Sequence, residues 1–473
     1  MIVRTLNFKG ATVTKQSRIS LRGHNARCDR GCMSSPECDI TASPEGVSSS
    51  ADVKSRRVST LSTVMALVAV FAISPSMRAG ATSLGPILTA VQSTFGVGAM
   101  AVGLLSALPC IVFALVGVLA VPLSKRFGLT CVVTVAMAVT TFGLGVRPFV
   151  SNFWAFLLLS VAGLAGPAVG NVIVPAWIKL HKAGRTVLLL TVYGGVLPLG
   201  GAMGSFLGAP IAGPDSSGWR TALFIWAPWA LLAVLVWLLA WKSVGRDTPP
   251  VAQSLVPVPE SSTPLTGDEA AQLSSPLATK GRSLMRSPTA VALMVAFGLQ
   301  SLNAYVQFGQ LPTILAMLGV DRTSAAAMVA AINLWALVGG LIMPKIVDSV
   351  KNLPLVSLLF GVLTASGYLG LLLAPAFSPW LWVTLLSIGG FMFPLCVTLI
   401  PARARTASMS ARLSGMAQPG AYIVAAFGPI IVGMVLQATA STTPVLIFLM
   451  IMALLMGIIG MRASAPVFVD DEV

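Results

Sequence analysis

Long apolar stretches recur along the chain from residue 61 onwards, and each is about as long as a bilayer is thick. A helix of about 20 apolar residues crosses a hydrocarbon core of roughly 30 Å, whereas the strands of a membrane barrel alternate over about 10 residues. The pattern therefore predicts an all-α integral membrane protein with twelve transmembrane helices. Their predicted bounds are 61–92, 98–122, 129–147, 153–179, 186–210, 221–241, 289–317, 323–345, 353–373, 379–402, 412–436 and 442–462.

Three regions lack this apolar pattern. Residues 1–60 are polar and basic, which predicts a disordered cytoplasmic tail. Residues 242–288 are rich in Pro and Ser, which predicts a flexible cytoplasmic linker. This linker would separate an N-terminal six-helix bundle at 61–241 from a C-terminal bundle at 289–462, and an acidic tail would follow at 463–473.

The two predicted bundles resemble each other at one constant offset. Setting Pro86 on Pro312, a shift of 226 residues, also sets Pro175 on Pro401. The same shift aligns the loop at 124–128 with residues 350–354. A duplicated six-helix unit in two pseudo-symmetric bundles is the major facilitator fold, in which the substrate site lies near the midplane between the halves.

Charge fits this topology better than it fits nucleic-acid binding. The chain is 56% hydrophobic and 10% charged, yet its formal net charge is +15. After residue 60, fifteen Lys and Arg fall at positions assigned to the cytoplasm, and three, Arg147, Arg220 and Arg322, fall outside. Because Lys and Arg collect on cytoplasmic loops, we expect both termini in the cytoplasm and no nucleic-acid partner.

The first apolar run contains one full charge, Arg78, near its centre. A charge at the bilayer centre costs between about 2.5 and 17 kcal/mol, and no acidic residue in the run offsets it. A helical wheel places Arg78 on one stripe with Ser74, Thr82, Gly85 and Thr89. We therefore expect this stripe to line a water-filled cavity in which Arg78 binds an anion. The alternative is an arginine that snorkels to the interface or caps backbone carbonyls.

Predicted span 7 has a polar face of its own, formed by Gln300, Asn303, Gln307 and Gln310 at helical spacing. Amides inside a bilayer are costly unless they meet water, a ligand or each other. Under the repeat alignment this face lies opposite Arg78, which favours cavity lining. The alternative is hydrogen bonding between helices.

Spans 4 and 11 supply further polar candidates. Asn171 lies in a stretch of small residues in span 4, where a packing amide is an equal alternative. Gln418 and Tyr422 share one face of span 11, and both would reach the cavity. The predicted substrate-binding residues are Arg78, Asn171, Asn303, Gln307, Gln310, Gln418 and Tyr422.

Several kinds of chemistry lack the residues that they need. All ten acidic residues after position 60 and both histidines lie outside the predicted spans. An intramembrane enzyme needs a nucleophile with a base, or metal ligands, so we predict no enzymatic activity, no metal and no cofactor. The cysteines follow no common zinc or redox spacing. A cation exporter would usually need a carboxylate in the membrane, so an anionic or neutral polar substrate is favoured.

The chain resembles the cyanate-transporter family of the major facilitator superfamily, which includes bacterial cyanate and 2-nitroimidazole transporters, over nearly all of residues 61–462. The matching positions are Arg78, Leu108–Pro109, Pro122–Gly128, Arg147, Gly170–Asn171, Pro175, Leu311–Pro312, Arg403 and Leu413–Gln418. The resemblance implies twelve spans, a bacterial inner membrane and the movement of small anions or polar organic compounds. It also implies that Arg78, Asn171 and Gln418 line the cavity.

The sequence thus predicts a transporter, secondary active or facilitated, that moves a small anionic or polar organic solute by alternating access. We expect a monomer in the bacterial inner membrane, with the small-molecule substrate and the lipid bilayer as its partners. One alternative is a multidrug or metabolite exporter of the same superfamily, weakly supported by residues 197–201. Another is a membrane sensor or scaffold that does not transport.

Overall fold

The computed structural model of the protein describes residues 62–213, 215, 217–245, 247–248 and 283–473. Within these ranges twelve helices are long and apolar enough to cross a membrane, and there is no β-strand. The prediction of an all-α multi-pass membrane protein is therefore confirmed. The predicted N-terminal tail and most of the predicted linker lie outside the described residues.

The twelve helices agree closely with the predicted spans and keep their numbers here. Spans 1 to 6 are Thr63–Phe95, Ala99–Phe127, Leu129–Phe149, Phe153–His181, Thr186–Ala212 and Trp219–Val244. Spans 7 to 12 are Pro288–Gly309, Arg322–Ser349, Leu353–Leu373, Pro379–Ala402, Ser408–Thr439 and Thr443–Ala463. Polar side chains determine where several spans begin, because Ser62, Asn152, Asp321 and Thr406 each accept a hydrogen bond from a backbone amide in the first helical turn.

Span 1 is interrupted twice, and its middle segment carries Arg78. Its α-helical segments are α1, Thr63–Ile73, α2, Ser76–Thr82, and α3, Leu88–Phe95. Pro75 lies at the first break and Pro86 at the second. A proline has no backbone N–H and disfavours helix in the residue before it, which explains both positions.

Span 7 is interrupted near Pro312, which the internal repeat aligns with Pro86. Its long helix ends at Gly309, and a short helix continues from Leu311 to Met317. Pro312, the counterpart of Pro86, lies at the start of that short helix. Spans 1 and 7 are therefore broken at equivalent places in the two halves.

Each half has its own apolar residues in its core, and the halves meet mainly along two pairs of helices. Span 2 packs along span 11, and span 5 packs along span 8. We call the end of the molecule near residues 125–128, 182–185 and 283–287 the linker end, and the opposite end the far end. Near the far end, a Cβ on Gly103 would lie 2.6 Å from the carbonyl oxygen of Pro429, and Met100 N–H donates to Gln437 at 2.9 Å.

Towards the linker end the helices that face the other half are more open. The glycines at 194, 340 and 415, on spans 5, 8 and 11, have no neighbouring atom within 4 Å of a Cβ position. Residues 121–123 on span 2 and 340–342 on span 8 are exposed. The described halves therefore make their closest contacts from the midplane to the far end.

The ordered structure continues beyond the boundary that was predicted for the linker. Span 6 extends to Val244, and Asp247 is buried although it was predicted to lie in a flexible segment. Its carboxylate accepts from the backbone N–H of Thr130 at 3.1 Å and from the Thr130 hydroxyl at 2.6 Å. It also lies 3.5 Å from His181 Nε2. Asp247 thereby caps the beginning of span 3 and joins it to the end of span 4.

Candidate substrate site

Arg78 leaves α2 in the middle of the molecule and points towards the other half. Its Cζ atom lies 5.9 Å from the ring centroid of Phe308 on span 7 and 5.8 Å from that of Phe393 on span 10. Both distances allow cation–π attraction, which is weaker than an ion pair. The side chain is only partly buried, and within the described residues its guanidinium forms no ion pair and no hydrogen bond. A cation between the two halves is thus left able to bind a ligand.

Three tyrosines on three helices lie within electrostatic range of this cation. Tyr193 on span 5, Tyr305 on span 7 and Tyr422 on span 11 all interact electrostatically with Arg78. The Tyr193 hydroxyl donates to Asn171 Oδ1 at 3.2 Å, which connects the predicted Asn171 to the same region. Hydroxyl groups both donate and accept, so they suit a polar or anionic ligand.

Span 11 brings the other two predicted residues to this region. The ring of Tyr422 packs edge-on against Phe113 of span 2 at 5.6 Å between centroids, across the two halves. Gln418, one helical turn away, donates to the Ser414 hydroxyl at 2.7 Å and is partly exposed. Its amide oxygen has no hydrogen bond from the protein in the described residues and is available to a ligand.

The amides of span 7 point elsewhere. Asn303 is completely buried and donates to its own helix at Leu299, while its Oδ1 has no partner among the described residues. Gln307 donates to the Tyr368 hydroxyl of span 9 at 3.0 Å, inside the C-terminal half. Gln307 therefore bonds between helices in this conformation, as the alternative interpretation of the stripe expects, whereas Asn303 bonds within its own helix. A binding role for either residue stays a prediction.

Gln310 lines a cavity to which Arg78 does not contribute. Its amide nitrogen donates to the carbonyl of Pro429 on span 11 at 3.0 Å, within the C-terminal half. With Thr89, Gln92 and Thr313 it lines a cavity of about 220 Å³ at the far end. The structure thus separates Gln310 from the other predicted residues, because span 7 breaks at this position and its polar face changes direction.

Four residues of the site were absent from the predicted set: Tyr193, Tyr305, Phe308 and Phe393. A signal for the tyrosines exists in the composition, since the chain has only four, and all lie within spans. The two phenylalanines carry no comparable signal because phenylalanine is common in apolar helices. Asn333 on span 8 was also missed, and its buried Oδ1 faces the backbone of Gly201 beside Arg78 without a partner among the described residues.

Arg147 requires a correction. The charge count places it among three charges on the outside, at the end of predicted span 3, whereas the structure shows it in a 3₁₀ turn there, completely buried. Its guanidinium donates to the carbonyl of Gly80 in α2 at 3.3 Å. Its position at the end of a predicted span does not indicate this burial, because the long side chain folds back into the protein.

The family can now be assigned. The sequence profile of the Major Facilitator Superfamily matches residues 66–429. The chain belongs to the Major Facilitator Superfamily. The twelve spans, the repeated break in spans 1 and 7 and the polar residues at the interface of the halves agree with this assignment.

Two curated relatives and one solved structure show which members of the superfamily this chain is similar to. It is 29% identical over 402 residues to the 2-nitroimidazole transporter of Escherichia coli (strain K12), covering 85% of this chain and 95% of that protein. It is 25% identical over 366 residues to the cyanate transport protein CynX of the same strain, covering 77% and 88%. The crystal structure of a D-xylose-proton symporter superposes with a TM-score of 0.67 at 16% identity, covering 85% and 97%, which supports the fold alone.

Proposed function

We propose that this protein moves a small anionic or polar organic solute across the bacterial inner membrane by alternating access, with Arg78 as the group that binds the substrate. The observation that carries the proposal is the partly exposed guanidinium between the two halves, which no carboxylate of the described residues contacts. Seven acidic residues are described, and each lies in a loop, at a helix end or in the C-terminal tail. A substrate would therefore supply the negative charge that the protein does not.

The surroundings of Arg78 support the same class of substrate. A hydrogen bond to a charged group is roughly twice as strong as a neutral one, and a low local dielectric strengthens it further. Tyr193, Tyr305, Tyr422, Asn171 and Gln418 would supply neutral hydrogen bonds around a bound solute. The names of the relatives support the same class of substrate, because one is named for 2-nitroimidazole, a small polar heterocycle, and another for cyanate, a small anion.

The direction in which the cavity opens follows from the charge on the loops. Lys125, Arg126, Lys179, Lys182 and Arg185 all lie at the linker end. The positive-inside rule assigns this end to the cytoplasm, so the conformation described here, with its closest contacts towards the far end, would face the cytoplasm. The monomeric state expected from the sequence remains a prediction.

Uptake into proteoliposomes tests the role of Arg78. Wild-type protein is first screened for thermal stabilisation by small anions and polar heterocycles, with cyanate and 2-nitroimidazole among them, since a ligand that binds the folded form raises its melting temperature. Removing a hydrogen bond to a charged group costs about 1.5 to 3 kcal/mol, so Arg78→Ala should reduce kcat/KM for the stabilising solute about 10- to 100-fold.

Arg220→Ala is the matched control, because Arg220 donates to the carbonyl of Pro148 near the far end and does not approach Arg78. Its uptake should equal that of the wild type. Normal uptake by a folded Arg78→Ala variant would reject the proposed role.

The exporter alternative draws support from the aromatic rings next to Tyr422, which contacts Phe113 and, deeper in the C-terminal core, Phe297. Apolar drugs bind such rings through buried area more than through charge. Efflux of a lipophilic dye that persists in Arg78→Ala, together with no counterflow of any small anion, would favour the exporter.

A further inference from the structure

Arg147 is the one Lys or Arg among the described residues that is completely buried. Its guanidinium makes one hydrogen bond, to the carbonyl of Gly80, and its Nε has no partner within the described part of the chain. No ion pair involving Arg147 is present there either. A buried charge is costly unless it is paired or hydrogen-bonded, so its position calls for an explanation.

The acceptor of Arg147 belongs to the short helix that carries Arg78. The α-helical hydrogen bonds of α2 end with the bond from Ser83 N–H to the Ala79 carbonyl, at 3.0 Å. The next carbonyl, that of Gly80, accepts from Arg147 at 3.3 Å and from the Ser83 hydroxyl at 3.4 Å. The C-terminal end of a helix carries partial negative charge and unpaired carbonyls, so a cation is favoured there.

Arg147 and the Arg78 side chain lie on opposite sides of α2. Residues two apart in an α-helix point about 200° away from each other, so a contact at Gly80 holds the side of α2 that faces away from the Arg78 side chain. Span 3 approaches closely on that side, since a Cβ on Gly80 would lie 3.3 Å from the Leu144 side chain. Arg147 therefore holds α2 by a hydrogen bond on the side opposite to the Arg78 side chain.

The remaining contacts of α2 are predominantly apolar or formed by close backbone approach. Gly170 of span 4 packs on Met77, and Gly201 of span 5 packs beside the Cβ of Arg78. Because α2 has seven residues and a break on each side, its own chain neighbours do little to set its rotation. Among the described residues, one polar side-chain contact besides that of Arg147 holds α2 to a neighbouring span, from the Thr82 hydroxyl to the Gly201 carbonyl at 2.9 Å.

We infer that Arg147 is a positioning residue, which fixes the rotation of α2 and thereby the direction in which Arg78 enters the cavity. The mechanical part of this inference depends only on the contacts of α2. Its consequence for transport rests on the proposed function, so the two parts are tested separately.

Hydrogen exchange of the full-length protein tests the mechanical part without any ligand. Arg147→Met removes the charge and the donors but keeps a long apolar side chain, and Arg147→Lys keeps the charge and one donor group. Losing a hydrogen bond worth about 1 kcal/mol should speed exchange of a peptide over residues 76–83 about fivefold in Arg147→Met, and by less in Arg147→Lys.

Arg220→Met is the matched control, because Arg220 donates to the carbonyl of Pro148, next to Arg147, and does not contact α2. It should leave exchange over residues 76–83 unchanged. An exchange rate over residues 76–83 in Arg147→Met equal to that of the wild type would overturn the inference. If Arg147→Met does not fold, an unchanged exchange rate in Arg147→Lys would overturn it instead.

Uptake of cyanate or 2-nitroimidazole, whichever stabilises the wild type, tests the consequence for Arg78. A misdirected guanidinium weakens binding, so KM should rise about five- to tenfold in Arg147→Met while the maximal rate changes little, and Arg147→Lys should recover part of the loss. An unchanged KM with faster exchange would reject the link to Arg78. Normal uptake by Arg78→Ala would instead reject the proposed function, and the exchange result would still decide the role of Arg147.

Discussion

Hydroxyl groups have distinct uses inside this protein, and the tyrosines illustrate them. Three of the four tyrosines interact electrostatically with Arg78, whereas the fourth, Tyr368, accepts a hydrogen bond from Gln307 within the C-terminal half. Tyr193 is partly exposed and Tyr368 is completely buried. The same residue type therefore serves a candidate binding site in one place and the packing of a bundle in another.

Replacing each of two tyrosines with phenylalanine should separate these uses. Tyr193→Phe removes the donor to Asn171, worth about 1 kcal/mol, and should raise KM about fivefold with an unchanged melting temperature. Tyr368→Phe leaves the buried Gln307 amide unpaired, at a cost of about 1 to 3 kcal/mol, and should lower the melting temperature with an unchanged KM. Uptake kinetics and thermal unfolding measure both, and the reverse pattern would contradict the assignment.

Helix beginnings at the linker end are capped by carboxylates that come from distant parts of the chain. Asp247, after span 6, caps span 3, and Glu472, in the C-terminal tail, caps span 7. Glu472 accepts from the Ser287 hydroxyl and from the N–H and hydroxyl of Thr289, and it pairs with Arg462. The tail predicted as acidic thus holds the first turn of the C-terminal half.

The pKa of Glu472 predicts how this cap responds to acid. Burial raises the pKa of the carboxyl, but hydrogen bonds from Ser287, Thr289 and Arg462 outweigh that effect and hold it below its ordinary value of 4.5. A carboxyl whose folded-state pKa is lowered stabilises the fold at neutral pH, and this stability is lost as pH falls from 4.5 through the folded-state value.

Glu472→Gln should therefore lower the free energy of unfolding by about 1 kcal/mol at pH 7, and the difference from the wild type should disappear in acid. Melting temperatures measured across pH check both parts. Asp348→Asn is the control, because Asp348 is exposed at the same end. A difference for Glu472→Gln that persists below its folded-state pKa would refute the electrostatic account.

The relation of the two halves is decided by a few backbone contacts. Span 2 approaches span 11 at Gly103, and span 1 approaches span 7 at Gly85, where a side chain would meet the carbonyl of Phe308. Gly340 of span 8 has open space instead. If the two halves rock as rigid bodies, close contacts such as those at Gly103 and Gly85 must open and close again.

A side chain at Gly103 should prevent this closure. In Gly103→Val the added carbons would overlap the Pro429 carbonyl, so the far end should remain open and transport should fall. Spin labels at Thr94 and Thr439, in a background without other cysteines, should report a longer distance than in the parent protein. Gly340→Val should leave that distance unchanged, and an unchanged distance in Gly103→Val would show that closure tolerates the side chain.

The number of spans, their bounds and the equivalence of Pro86 and Pro312 could be predicted from the sequence. Bilayer thickness sets the length of each apolar run, and proline acts on its own backbone, so both signals are local. The charge of Arg78 was equally visible because nothing nearby in the sequence offsets it. Membership of a transporter superfamily followed from the same pattern and was confirmed by the family match.

The partners of polar side chains depended on the tertiary structure. Helical periodicity places Asn303, Gln307 and Gln310 on one stripe. In the structure, however, Gln307 donates a hydrogen bond to the Tyr368 hydroxyl and Gln310 donates one to the Pro429 carbonyl. Arg147 turns inwards to Gly80, and Asp247 is buried against Thr130. Each of these contacts joins residues far apart in the chain, and the rotation and breaks of the packed helices determine which groups meet.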